Sequence, residues 1–239
     1  MNSDKTRPST PVVSSPRIAA FLAEVEARAP SPTASGRRGR LIFGLDATMS
    51  RQLTWDLASR LQGEMFDEAS RIGGLDMKLV YFRGFDECRA SPWLADGARL
   101  ARLMSGIDCR GGRTQIGRVL RHCVKEAEQA PVGAVVFVGD AMEESLDELC
   151  AEAGPLAVRG VPVFLFQEGR DRDAERGFRE LARLTKGAWC PFDAGSADQL
   201  RALLRAAASY AAGGAEALKT LSASSRGAHV LLSAMRDGQ

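Results

Sequence analysis

From residue 40 onward the chain alternates short apolar runs with longer segments in which apolar residues return every three or four positions. The runs at 41–45, 77–82, 134–138, 162–166 and 188–192 predict strands. The periodic segments at about 52–72, 94–105, 115–129, 143–158, 173–185 and 197–212 predict helices. Strands that are apolar along their whole length are buried on both faces, and helices between them imply a parallel sheet covered on both sides. One interval departs from the rhythm. After "KLVYFRG" comes "FDECRASPW", a turn and a short polar segment with a proline, which suits a brief antiparallel edge strand. The pattern predicts an α/β fold: a doubly wound, mostly parallel six-stranded sheet with one antiparallel edge strand and helices on both faces.

The flanks read differently. Residues 1–15 and 30–40 are rich in Ser, Thr and Pro and predict a flexible tail. Within it, Ser15-Pro16 has the form of a helix start, and Ile18, Phe21, Leu22 and Val25 share one face, so a short amphipathic helix is expected over about 16–29. After residue 212 a Gly pair is followed by two short helical patterns, one with Leu218 and Leu221 and one with Val230, Leu231 and Met235. The expected division is a tail over 1–39, a main domain over 40–212 and a C-terminal helical extension over 213–239. That extension is expected to pack back on the body; a docking or dimerisation surface is the alternative.

Composition narrows the class. A chain of 239 residues, 45% hydrophobic and 26% charged, can bury one sizeable core. Residues 1–40 hold seven Lys/Arg and three acids, so the tail carries +4 and the body −2, for a total of +2. A nucleic-acid binder would show a basic body with a clustered stripe, and this body is near neutral. The five cysteines are widely spaced, without a CxxC pair or Cys/His ligand spacing, and read as reduced small hydrophobes. No apolar stretch suits a secretory signal or a membrane span, so the cytoplasm is the expected location.

The candidate chemistry lies at the strand ends, where sheets of this kind bind ligands. The first strand runs into Asp46-Ala47-Thr48-Met49-Ser50, and residues at i, i+2 and i+4 of an extended segment project from one side. Asp140 follows "VVFVG" in the same way. Between them "CRGGRTQIG" places Thr114 at the start of a helix behind paired glycines. Carboxylates and hydroxyls without His or Cys suit a hard divalent cation, Mg²⁺ or Mn²⁺ rather than Zn²⁺, and a position left open could accept an external carboxylate.

These elements, D-x-T-x-S after the first strand, a Thr in a glycine-containing loop and an Asp after the fourth, resemble the von Willebrand factor type A domain with its metal-ion-dependent adhesion site. Thr48 stands where the family has Ser, and Gly139 and Ala141 depart from the common T-D-G around Asp140. The resemblance covers about residues 40–212 and is to a stand-alone, cytoplasmic, bacterial-type member. It implies that Thr48 or Ser50 and Thr114 coordinate the ion, with Asp46 and Asp140 acting directly or at one remove from it. It further implies a protein-binding adaptor without catalytic activity. The partner would be a protein offering Asp or Glu, within an assembly that can include an ATPase or chaperone. No membrane, nucleic acid or small-molecule substrate is expected.

Two other functions compete with this one. A Mg²⁺-dependent hydrolase or phosphotransfer enzyme of the haloacid type needs D-x-D-x-T, and position 48 is Thr; no GxxxxGK[ST] and no strand-borne GxGxxG is present. An RNA-associated protein of this domain type draws only on the basic tail. Neighbouring residues have plainer readings. Arg51 and Arg113 either compete with a cation and recruit the partner's acid or are solvated loop arginines. Glu143 and Glu144 are expected to complement the dipole of the helix they precede. Cys109 is the thiol nearest the site, with no base assured beside it. His122, His229 and the three tryptophans are expected to be structural or solvated.

Overall fold

The computed structural model describes residues 38–193 and 196–237. The chain folds in the order β1 (Gly39–Asp46), a 3-10 turn (Met49–Arg51), α1 (Gln52–Ser70), β2 (Leu75–Arg83), β3 (Glu87–Ala90), α2 (Gly97–Ser105) and α3 (Ile116–Gln129). It continues with β4 (Ala134–Gly139), α4 (Leu146–Val158), β5 (Val163–Glu168), α5 (Arg172–Leu184), β6 (Ala188–Phe192), α6 (Ala197–Ser222) and α7 (Arg226–Asp237). The six strands form one sheet in the order β3-β2-β1-β4-β5-β6, parallel except for β3. The expected architecture and its antiparallel edge strand are therefore present. The short helix expected over 16–29 lies outside the described residues.

Strand periodicity divides the core in two. Leu41, Phe43 and Leu45 of β1 join Val136 and Val138 of β4, Phe164 and Phe166 of β5 and the apolar sides of α1, α2, α6 and α7. Ile42, Val135, Phe137, Val163 and Leu165 face the other way, against α3, α4 and α5. Successive side chains of a strand point to opposite faces, so a strand covered on both sides must be apolar at every position. The C-terminal segment belongs to the first of these clusters. Helix α6 runs past residue 212 and breaks at Gly214, whose φ of 67° is left-handed, and Leu218, Ala228 and Leu231 are buried. Helix α2 begins at Gly97, later than its apolar pattern, because Leu94 pairs with Met77 and Asp96 caps the helix through the Ala98 N–H.

One polar group interrupts the second core layer. Lys78 of β2 is buried, and its ammonium bonds Glu126 Oε1 of α3 at 2.5 Å. Glu126 Oε2 accepts from the Trp93 indole at 2.8 Å, and the Arg40 guanidinium lies 3.8 Å from the Trp93 ring centre. His122, one turn before Glu126, places Nε2 3.5 Å from Glu126 Oε1. Burial, with Lys78 and Lys125 nearby, holds the imidazole below its ordinary pKa of 6.5 against the opposing pull of Glu126. As pH falls the unfolded chain binds this proton before the folded one, so stability present at neutral pH is lost below about 6.5. The melting temperature should therefore fall between about pH 7.5 and about pH 5.5, and fall less in His122→Gln, as a pH series of thermal melts would read.

Candidate metal centre

Strand order places the site. From β1 the chain winds outward to β2 and β3, and from β4 it winds the other way to β5 and β6. The sheet thus switches direction between the adjacent strands β1 and β4, and a crevice opens beyond their carboxyl ends. Asp46 is the last residue of β1, and Asp140 directly follows β4.

Asp46 is buried, and its Oδ1 accepts the Thr48 N–H at 2.8 Å. Thr48 is still extended, with φ −74° and ψ 162°, but Ser50 sits inside the 3-10 turn. The simple i, i+2, i+4 alternation therefore holds only as far as Thr48. The turn, closed by Arg51 N–H to Thr48 O at 2.9 Å, brings Ser50 back, and the two hydroxyl oxygens lie 3.2 Å apart. Burial is the main force pushing the Asp46 carboxyl up to about 6; hydrogen bonds from Thr48 oppose it, Asp140 adds to it and Arg51 opposes it. The Asp140 charge is thus felt at the Asp46 carboxyl.

Thr114 is held by the two glutamates that follow Asp140. Its N–H donates to Glu143 Oε2 at 2.8 Å and its hydroxyl donates to Glu144 Oε2 at 2.6 Å. In return the Glu143 N–H donates to Thr114 Oγ1 at 3.0 Å, and Glu144 Oε1 accepts the Gly117 N–H at 3.0 Å. The sequence pattern assigns Glu143 and Glu144 to the helix they precede. That helix begins only at Leu146, and the two carboxylates instead satisfy orphan donors at the start of α3, across the crevice. The loop after Asp140 and the loop bearing Thr114 are therefore clamped together, and the Thr114 hydroxyl keeps one lone pair. Among the described residues no hydrogen bond joins Thr114 directly to Asp46, Thr48 or Ser50.

Arg51 is the main departure from expectation. It is neither a solvated loop arginine nor a reachable recruiter of a partner's acid: it is 1% exposed. Its NH1 pairs with Glu168 Oε2 at the end of β5, the same oxygen that accepts the Thr54 hydroxyl. Burial lowers its basicity, while Asp140 and Asp46 pull the other way. Nε and NH2 are buried without a hydrogen-bond partner among the described residues. Glu168 does have a signal in the sequence that the motif reading passes over: "PVFLFQE" ends a strand in an acid, as the strands before Asp46 and Asp140 do. Arg113 is exposed. The Cys109 thiol, pushed up to about 11 mainly by burial, stays protonated at neutral pH.

The donors fit a hard divalent cation. Asp46 ends β1 and Asp140 follows β4 at the switch point, with the Thr48 and Ser50 hydroxyls after Asp46 and the Thr114 hydroxyl in the loop clamped to the segment after Asp140. Such a set of carboxylate and hydroxyl oxygens suits a hard cation, and Asp46 is a buried carboxylate that feels a second acid. Among the described residues no three His, Cys, Asp or Glu side chains converge on one point, so Glu168 is not a third ligand. Around the cup three large apolar side chains face solvent: Met49 at 60% exposure, Leu53 at 62%, and Phe85 at 65% in the β2–β3 turn. A cavity of about 420 Å³ beside Thr114 is lined in part by Phe85, Arg113 and Glu144.

No family model matches the sequence, and no curated protein matches it significantly. The fold is matched by solved structures. The VWA domain of SpRpn10 superposes with a TM-score of 0.52 over 72% of this chain and 95% of its own length, at 12% identity. This chain has the von Willebrand factor type A fold. Proximal thread matrix protein 1 from the mussel byssus, solved with a zinc-occupied MIDAS motif, gives 0.55 at 16% identity over 76% of this chain and 50% of that one. The pilus adhesin SpaC of Lactobacillus rhamnosus GG gives 0.56 at 12% identity over 75% and 31%. The type A unit described here thus spans half or less of the byssus and pilus proteins.

Proposed function

We propose that this chain is a protein-interaction module whose strand-end cup holds Mg²⁺ or Mn²⁺ and through it captures an Asp or Glu side chain of a partner protein. What supports the reading is that Asp46 ends β1 and Asp140 follows β4 at the switch point, with the Thr48 and Ser50 hydroxyls 3.2 Å apart just after Asp46 and Thr114 clamped by Glu143 and Glu144. The carboxylates of Asp46 and Asp140 would supply charge, and the hydroxyls of Thr48, Ser50 and Thr114 neutral oxygens. A bound cation would supply an open coordination position for an external carboxylate. The exposed rim of Met49, Leu53 and Phe85 supports a protein partner, since such apolar surface beside a polar centre is typical of contact sites. The fold neighbours include an adhesin and a matrix protein, and one of them carries a divalent metal in its MIDAS motif. The reading needs no catalytic group, because capture requires only the cup and its ion.

Titration of Mg²⁺ and Mn²⁺ into the chain by calorimetry tests this. The wild-type chain should bind one ion, and Asp46→Ala should abolish measurable uptake, since one of the two carboxylates that offset the ion's charge is gone. A wild-type chain that takes up neither ion would overturn the reading.

A further inference from the structure

Three adjacent strands end in acids: Asp46 at the end of β1, Asp140 after β4 and Glu168 at the end of β5. Adjacent strands lie about 4.8 Å apart, so the three acids stand along one rim with the Asp140 strand between the other two. Arg51 is buried, with one guanidinium nitrogen on Glu168 and two more nitrogens without hydrogen-bond partners among the described residues. A guanidinium with so little hydrogen bonding is costly to bury unless negative charge surrounds it. Here Asp46 and Asp140 supply that charge in addition to Glu168. Three carboxylates and one guanidinium leave a formal charge of −2, the charge that one divalent ion neutralises.

We infer that Arg51 is a resident cation of this site, which withholds Glu168 from the cup and sets by its charge how tightly the cup holds a divalent ion. The inference rests on the cation reading proposed above. Glu168 complements it by anchoring the guanidinium to one side, with the Thr54 hydroxyl bonded to the same oxygen. Without the Glu168 charge, the guanidinium's remaining counterions are Asp46 and Asp140, the two carboxylates the metal needs. Without Arg51, no fixed positive charge opposes a divalent ion beside Asp46 and Asp140. The two residues therefore act on affinity with opposite signs, which a merely structural role for the pair does not produce.

The test is a double-mutant cycle on the full chain, titrated calorimetrically with Mg²⁺ alone and with Mn²⁺ alone. Arg51→Met should tighten binding by at least about tenfold, since a fixed positive charge near a divalent ion is removed from a partly buried site. Glu168→Gln should weaken binding by at least about tenfold, and the double variant should return to within about threefold of wild type. Thermal melts with and without Mg²⁺ give a second readout, with the larger metal-induced shift in Arg51→Met. If Arg51→Met does not fold, Glu168→Gln and the double variant still carry the comparison. Binding by Arg51→Met with none by the wild type would overturn the inference together with the cation reading, since the native cup would then hold no ion. Wild-type binding with a flat cycle, or with both single variants weakened, would overturn it and leave the cation reading standing. Failure of all four chains to bind either ion would remove the cation reading itself.

Discussion

Gly112→Ala should abolish measurable Mg²⁺ binding and lower stability by about 1–3 kcal/mol, the usual cost of forcing extra carbon into a packed site. A Cβ at position 112 would stand 2.5 Å from the Cα of Gly84 and closer still to its carbonyl group. Both partners are backbone, so no side chain can swing away. Gly84 is itself left-handed, with φ 62°, and its carbonyl accepts the Arg113 N–H at 3.3 Å and the Gln115 amide at 3.1 Å. The β2–β3 turn and the loop leading to Thr114 are therefore one packed unit, held at van der Waals contact by the missing side chain. Displacing it moves Thr114 and the Glu143–Glu144 clamp away from Asp46 while the sheet beneath is untouched. Calorimetry should find no ion uptake in a chain whose circular dichroism is native. A variant that binds as the wild type does would mean that the Thr114 loop takes no part in the site.

What could be read in the sequence follows from how far apart the interacting residues lie. The strands β1, β4 and β5 declare themselves because burial on both faces demands unbroken apolar runs, and Asp46 and Asp140 stand out because each ends such a run. The D-x-T-x-S segment is local, so its hydroxyls could be named as donors, although the 3-10 turn that returns Ser50 to Thr48 lies outside a period-two argument. The contacts that remained hidden join distant positions. Thr54 and Glu168, on one side of the Arg51 pair, are 114 residues apart, and Thr114 and Glu144 are 30 apart. An arginine after D-x-T-x-S looks like a solvated loop residue until β5 is known to lie beside β4, with its terminal acid within reach. The same holds for Glu143 and Glu144: two acids before a helix suggest their own helix, and only the crevice shows a nearer N-terminus in need of acceptors.

Glu126→Ala should be the most destabilising single change in the polar layer of the core, by about 3–5 kcal/mol, the range seen when one partner of a buried ion pair is removed. Lys78 sits in the middle of β2, on the face that otherwise carries Val80 and Phe82, and its ammonium has Glu126 as its carboxylate. Burial alone would raise the Glu126 carboxyl, but hydrogen bonds from Lys78 and from the Trp93 indole outweigh it and hold the carboxyl below its ordinary range. A carboxyl depressed in the folded state adds stability above its unfolded pKa of about 4.5 and loses it as pH falls through the depressed value, so the cluster weakens the fold toward acid. Truncation leaves the Lys78 ammonium, the Trp93 N–H and the Arg40 guanidinium around a cavity with no anion. The melting temperature should drop by roughly 10 °C, since each kcal/mol moves a chain of this size by about 2–4 °C. Replacing both charges, as Lys78→Met with Glu126→Leu, removes the stranded ion as well as its partner and should recover most of the loss. If the double variant melts as low as Glu126→Ala, the cost lies in packing and not in the uncompensated charge. If instead it recovers while Mg²⁺ uptake is unchanged, the polar layer around Lys78 is separable from the cup at the strands' carboxyl ends. That separation is expected from the geometry, because Arg40 is the second residue of β1 and Asp46 its last.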